Sequence, residues 1–161
     1  MRLTAFTDYS LRVLIYLAAR PGRRATIAEI ARAFDVKENH LTKVVHHLGK
    51  AGFLANVRGK SGGLDLARDP RRIVVGAVVR ETEGVAVPAE CFGDEPRYCR
   101  IVQVCRLRGV MQEAVDAFYL VLDGYTLDDL VENRRALAEI VFLDRSAPKT
   151  TAAPKRASRA R

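Results

Sequence analysis

Three cysteines, Cys91, Cys99 and Cys105, are the residues of this 161-residue chain with the most chemistry to offer, and they all fall within one short stretch. Seven residues separate the first two and five separate the second and third. An odd, clustered set of this kind does not build a disulfide framework; in a reducing compartment it reads as a metal or redox site. Thiolates suit zinc, copper(I) or iron–sulfur clusters. A structural zinc finger carries paired Cys-x-x-Cys ligands, which the spacing lacks, and His40, His46 and His47 are all remote from the cysteines in sequence. A cubane cluster needs four ligands. The fourth would be a carboxylate, solvent, a small molecule or a residue from elsewhere in the fold. Three ordinary thiols are the plain alternative. No Ser-His-Asp or Cys-His arrangement, phosphate loop or paired acid–base motif accompanies the cysteines, so the sequence does not read as an enzyme.

A second constellation is polar and basic. The spacing predicts a helix over Lys37–Lys50. At 100° per residue, Leu41, Val44, Val45 and Leu48 share one side, Asn39, Lys43, His46 and Lys50 lie opposite, and His40 and His47 lie on a flank. Amide, imidazole and ammonium groups on an outer face can meet base edges and phosphates in a major groove. Lys50 at the helix end suits a phosphate or the helix dipole. Arg58 and Lys60 follow on a glycine-rich tip, RGKSGG, where a cation can enter a narrow minor groove. A polar face and a basic turn are each ordinary surface features. Their weight comes from the order in which the elements carry them.

The elements around these groups read as follows. Thr7-Asp8 predicts a helix start, with Leu11, Leu14, Ile15 and Ala18 at helical spacing before Pro21-Gly22. Thr26 and Glu29 form a capping-box pattern that opens a second helix over Ile27–Ala33. Two short helices, a tight turn and a third helix make a helix-turn-helix. Strand candidates Phe53–Val57 and Leu64–Ala67 flank the basic tip as a wing, and Ile73–Thr82 reads as a short apolar helix. After an irregular stretch, Val104, Leu107, Met111, Val115, Phe118 and Leu122 mark a long helix from Val104 to Asp123, assigned to dimerisation. Tyr125–Asn133 predicts one more short helix, capped by Thr126. The fold class is therefore mainly α with a small β-hairpin, a winged helix-turn-helix followed by a long dimerisation helix.

Charge divides the chain in the same places. Residues 1–80 carry 15 Lys/Arg against 6 Asp/Glu, residues 81–145 carry 7 against 13, and residues 146–161 carry 5 against none, within a net charge of +8. A basic first unit (1–80) suits a polyanion, an acidic second unit (81–145) holds the cysteines and the long helix, and the small, polar, basic tail (146–161) has the composition of disorder. No apolar run reaches the roughly 20 residues of a membrane span and no signal-peptide pattern opens the chain, which predicts a cytoplasmic protein without a membrane partner.

Several segments together resemble the IscR/NsrR/RirA family of winged-helix regulators, and within it the nitric-oxide-sensing NsrR branch: MRLTAFTDYSLRVLIYLA, KENHLTKVVHHLGKAGF, RGKSGGLDLA, the three-cysteine loop and YTLDDLVEN, spanning about residues 1–133. The resemblance implies a homodimer that binds a double-stranded operator palindrome and represses transcription. It implies that Cys91, Cys99 and Cys105 bind an iron–sulfur cluster, 4Fe–4S rather than 2Fe–2S, with nitric oxide as the signal. It also places Asp8 where the branch can supply a carboxylate ligand from the other subunit, although dipole complementarity at a helix start explains Asp8 as well. One departure matters: IscR-type proteins carry a histidine shortly after the third cysteine, where this chain has Leu107 and Arg108. Iron-responsive RirA proteins have a similar loop, so an iron signal is the alternative within the family. An iron–sulfur electron-transfer protein is the alternative outside it.

Overall fold

The Thr4 side chain opens the first helix by accepting a hydrogen bond from the Thr7 backbone N–H, so α1 runs Ala5–Ala18. The computed structural model describes residues 2–57, 59, 62–84, 90–92 and 99–142. The helix start expected at Thr7-Asp8 therefore lies three residues earlier. Thr7 instead sits fully buried in the first turn and donates its hydroxyl to Thr82 at 2.8 Å. Thr26 and Glu29 form the expected capping box, with the Thr26 N–H to Glu29 carboxylate bond at 2.7 Å, and α2 spans Ile27–Phe34. Asp35 ends α2 in the left-handed region at φ 54°, and Val36 N–H bonds back to Ala31 O at 3.0 Å. That tight reversal sets α3, Glu38–Lys50, across α2.

Strands β1 (Leu54–Val57) and β2 (Gly63–Leu66) pair antiparallel in the register Leu54↔Leu66 to Val57↔Gly63. Ala25 adds an isolated bridge, exchanging backbone bonds with Leu64 at 3.1 and 2.7 Å. Gly63, at φ 151°, makes this approach possible: a Cβ there would lie 3.0 Å from the Ala25 carbonyl oxygen and 3.1 Å from Arg24 Cβ. A 3-10 turn at Pro70–Arg72 then leads into α4, Val75–Glu83. Residue 80, where the charge changes sign, lies inside α4. A second 3-10 turn covers Glu90–Phe92.

The core joins α1, α2, α3, the hairpin and α4 through Val13, Leu14, Leu17, Ile30, Leu41, Val44, Leu48, Leu64, Ile73 and Val78. Each such side chain contributes about 1.5–3 kcal/mol by leaving water. The long helix α5, Arg106–Asp123, buries none of its 18 residues fully. Its C-terminal end is rooted on α4. Arg80 grips Asp123 through two bonds of 2.7 and 2.6 Å, and its guanidinium lies 4.4 Å from the Tyr119 ring centroid. The expected single stripe divides. Met111, Val115, Phe118 and Leu122 are half-buried, whereas Leu107, Val110, Ala114, Ala117 and Val121, at alternating steps of three and four residues, are exposed.

The segment expected as a helix over Tyr125–Asn133 is only a 3-10 turn, Asp129–Val131, with Asp129 accepting from Thr126 N–H at 2.6 Å. Leu127 and Val131 are buried, but the backbone at the start of the segment is engaged elsewhere: Val75 N–H bonds to Tyr125 O at 2.9 Å and Leu127 N–H to Ile73 O at 2.8 Å, in an isolated bridge of Val74 with Thr126. Beyond it lies a helix absent from the sequence reading, α6, Arg134–Val141, whose Leu137 and Val141 pack on the core together with Phe142. Phe142 meets Tyr16 edge-on at 4.9 Å and lies beneath the Arg20 guanidinium. The tail assigned to disorder, 146–161, lies outside the described residues. Among the described residues no helix is long and apolar enough to cross a membrane.

Candidate nucleic-acid interface and thiol centre

The core decides which side of α3 is available. Leu41, Val44, Val45 and Leu48 are buried, so Asn39, Lys43, His46 and Lys50 face outward, all four exposed. The two faces fall where the wheel places them, and the outer one is a polar stripe along the length of the helix. The flanking histidines do other work. His40 stacks on Tyr9 of α1 with ring centroids 6.2 Å apart and planes 17° from parallel. His47 turns toward α4: its Nε2 lies 3.2 Å from the Glu81 carbonyl oxygen and 3.3 Å from the Glu81 carboxylate. The wheel could assign both rings only to a flank, because their partners come from other elements.

The hairpin projects directly after α3, with Phe53 N–H bonded to Leu48 O at 2.9 Å. At its tip Gly62 N–H closes onto Gly59 O at 2.8 Å, and Gly59 takes φ 109°. Arg58 and Lys60 lie outside the described residues.

Asp8 is half-exposed and paired. Arg12, one turn on, donates from Nε at 3.1 Å and contacts the second carboxylate oxygen at 2.7 Å. The same guanidinium lies 5.9 Å from the Tyr9 and Phe34 ring centroids. Arg12 was not among the site residues expected from sequence. The Asp8–Arg12 spacing of four residues was the available signal.

Cys91, Cys99 and Cys105 are all free thiols of intermediate exposure. Cys91 sits in the 3-10 turn, Cys99 accepts a backbone bond from Val102 N–H at 3.2 Å, and Cys105 is the N-cap of α5 without a side-chain cap bond. The Arg108 guanidinium lies 5.5 Å from the Phe92 ring centroid, which sets the turn of Cys91 against the first turn of α5. The donors are therefore accessible and carried on neighbouring segments. Arg106 and Arg108 are exposed beside Cys105, and Arg100 beside Cys99, a cationic setting that complements a thiolate-ligated anionic group. Among the described residues, however, no group of three or more His, Cys, Asp or Glu side chains is gathered closely enough to hold an ion. The chain thus does not bring Asp8 and the three cysteines together within itself.

The last turn of α4 links these regions. Glu83 accepts from Thr4 N–H at 2.7 Å and from the Thr4 hydroxyl at 3.1 Å. Burial pushes the Glu83 carboxyl up, but the hydrogen bonds from Thr7 and Thr4 outweigh it and hold the group below the ordinary glutamate value. Gly84, at φ 70°, caps the end of α4, seven positions before Cys91 in the sequence.

The family model Rrf2, described as an iron-dependent transcriptional regulator, matches residues 3–133. The chain is 47% identical to the HTH-type transcriptional regulator NsrR of Geobacillus kaustophilus, over 88% of this chain and 97% of that protein. It is 46% identical to the regulator of the same name from Bacillus subtilis, with the same coverage. Among solved structures it resembles CymR, the global cysteine regulator of B. subtilis, at TM-score 0.68 and 28% identity, covering 83% of this chain and 98% of that one. It also resembles T. potens IscR at TM-score 0.66 and 26% identity, covering 84% and 90%.

Proposed function

The chain belongs to the Rrf2 family of DNA-binding transcription regulators, and from that premise we propose that it is a homodimeric repressor whose grip on an operator depends on an iron–sulfur cluster and is released by nitric oxide. Its relatives are regulators and not enzymes. The observation that carries the reading is α3: four polar side chains, Asn39, Lys43, His46 and Lys50, stand out from a helix whose opposite face is locked in the core, with a hairpin directly behind it. Such a helix enters a major groove with its side chains at base edges and phosphates, and Arg58 and Lys60 on the wing reach the flanking backbone or minor groove. The cytoplasm is the compartment this assigns.

The exposed series Leu107, Val110, Ala114, Ala117 and Val121 has the spacing of a helix–helix seam and supports pairing of two copies through α5. Two reading heads then meet the two halves of a palindrome about one DNA turn apart, roughly 34–36 Å. Three accessible thiols and nearby arginines fit an iron–sulfur group. Cys91, Cys99 and Cys105 would hold it, with Asp8 of the partner subunit as the fourth donor. When bound, the group supplies the iron that nitric oxide attacks. Asp8 would be the harder and weaker donor of the four and so the more readily exchanged one. Arg12, which pairs with Asp8 in this structure, would offer the carboxylate an alternative partner. That pair is half-exposed and so exchanges at little cost.

The test is anaerobic purification, an absorption spectrum, and operator binding before and after nitric oxide. The expected result is a coloured protein whose operator affinity falls on nitric oxide treatment. Colourless protein that binds the same operator as tightly, or coloured protein indifferent to nitric oxide, overturns the sensing mechanism. The family's description as iron-dependent favours a second reading, in which cluster loss reports iron scarcity. There, iron chelation alone relieves repression and nitric oxide does not.

A further inference from the structure

We propose that His47 is a positioning residue for DNA reading: by bonding to Glu81 it ties the C-terminal half of α3 to the last turn of α4, the same turn that holds the start of α1 and from which the cysteine segment departs. The proposal deepens the reading of α3 as the recognition helix and rests on it.

Both Glu81 oxygens facing His47 are acceptors, so the ring nitrogen between them carries the proton and donates to the carbonyl at 3.2 Å and toward the carboxylate at 3.3 Å. Phe6 of α1 meets the same ring edge-on, 5.3 Å between centroids and 79° between planes, so the imidazole is held from two sides. Such fixation is useful because the C-terminal half of α3, beyond the His40–Tyr9 stack, is otherwise anchored along its apolar stripe. Its N-cap, Lys37, makes no side-chain cap bond. Leu41, Val44, Val45 and Leu48 seat the helix in the core and limit its roll, because rolling would expose them. A hydrogen bond off that stripe adds a directional restraint and narrows the roll that packing leaves. His47 adjoins His46 and lies one turn from both Lys43 and Lys50, so a small roll moves all three relative to the bases.

The other end of the tie is equally placed. In the three residues Glu81, Thr82 and Glu83, α4 contacts His47 of α3, Thr7 of α1 and Thr4 at the α1 N-cap. One short turn thus holds both the reading helix, through His47, and the helix that bears Asp8, through Thr4 and Thr7.

The experiment compares His47→Ala, His47→Gln, Glu81→Ala and the double variant His47→Ala/Glu81→Ala, on anaerobically isolated protein, with operator and random-sequence DNA side by side. His47→Ala is expected to weaken operator binding about tenfold and random-DNA binding less than about twofold, because a roll disturbs base contacts and leaves general phosphate attraction. His47→Gln, whose amide can donate to the Glu81 carbonyl, should recover most of the loss. Glu81→Ala should cost less than His47→Ala because its backbone carbonyl remains, and the double variant should be no weaker than His47→Ala alone. Amide hydrogen exchange over residues 44–50 should quicken in His47→Ala. Equal losses on operator and random DNA, with no recovery in His47→Gln, would mean that His47 meets a phosphate directly and would overturn the proposal. So would additive losses in the double variant, or an unchanged operator affinity in His47→Ala. Repeating the wild-type measurement with and without the cluster tests the sensing mechanism separately, since a lack of cluster dependence would sink that mechanism while the operator-to-random comparison still judges His47.

Discussion

The α1–α4 body and the α5 arm are both rich in apolar residues, which meet opposite fates in the two. In the body Leu14, Ile30, Leu41 and Leu48 are at most 2% exposed. On the arm Leu107, Val110 and Val121 remain 65, 57 and 61% exposed. The body is stabilised by its own chain, and its polar outer face is left over for DNA. The arm has an apolar face that none of the described residues covers and is attached chiefly at its C-terminal end, through Arg80, Tyr119 and Asp123. Among the described residues the body thus closes its own core, whereas the face of α5 stays bare, as the proposed pairing of two copies would require.

The sharpest way to break this contrast is to remove the same kind of group from each region. Leu48→Ala, in the body, should cost roughly 2–5 kcal/mol of stability in denaturant unfolding, because the close-packed site cannot collapse around the hole. Val121→Ala, on the arm, should change the stability of the isolated monomer by under about 0.5 kcal/mol. Comparable losses at the two positions would mean that the arm packs within its own chain.

Charge on the arm should act on assembly instead. Leu107→Glu with Val121→Glu is expected to leave the helical circular dichroism spectrum intact and give monomers in analytical ultracentrifugation. Operator affinity should fall on the order of 100-fold as the second half-site is lost. Changes at half-buried Met111 and Phe118 should disturb the α4–α5 root as well, so the pair at Leu107 and Val121 is the cleaner probe. A dimer that survives the Leu107/Val121 change would move the subunit interface elsewhere.

Gly63→Ala tests how tightly the wing is tied to the body. A methyl group there meets the Ala25 carbonyl and Arg24, and φ 151° is unfavourable for an L side chain. The expected cost is about 1–2 kcal/mol in thermal or denaturant unfolding. Gly59→Ala is strained too, at φ 109°, but no described atom lies within 4 Å of its Cβ, so it should lack the contact part of the cost. A loss in Gly63→Ala smaller than that in Gly59→Ala would argue against the close approach of Gly63 to Ala25.

The smallest effect concerns acid. The Arg80 side-chain hydrogen bonds hold the Asp123 carboxyl below the ordinary aspartate value, and the Thr26 backbone N–H is the main cause that lowers Glu29. A depressed carboxyl adds stability that is fully present above its unfolded pKa and is lost as pH falls through the folded one. Melting temperature should therefore be flat above about pH 5 and decline modestly below about pH 4. In Asp123→Asn the part of that decline owed to the root of the arm should disappear. An unchanged acid profile in this variant would show that the pair does not hold α5 to α4.

Local features carried much of this architecture into view before any coordinates. The capping box at Thr26 and Glu29, the two faces of α3 and the glycine-flanked hairpin are encoded by residues within a few positions of each other, and their forces act over the same short range. Local features failed where distant groups compete. The helix start moved to Thr4 because Glu83, 79 residues away, also holds Thr4. The helix expected over Tyr125–Asn133 yielded to backbone bonds of Tyr125 and Leu127 with Val75 and Ile73, far earlier in the chain. Helix α6 has no local signal because Asn133 gives it no side-chain cap bond, and the partners of its C-cap Phe142, Tyr16 on α1 and Arg20 just beyond that helix, are distant in sequence.

The same division holds for the functional residues. Periodicity alone determined that Asn39, Lys43, His46 and Lys50 share the side of a helix opposite its apolar stripe, and composition alone singled out the three thiols. Only the tertiary structure decided that His40 and His47 belong to packing between helices, and that the apolar arc of α5 divides into a rooted part and a bare one. The physical reason is the range of the determinants. A helix face follows from spacing along one segment. What a side chain touches depends on which other segments the burial of the whole core brings beside it.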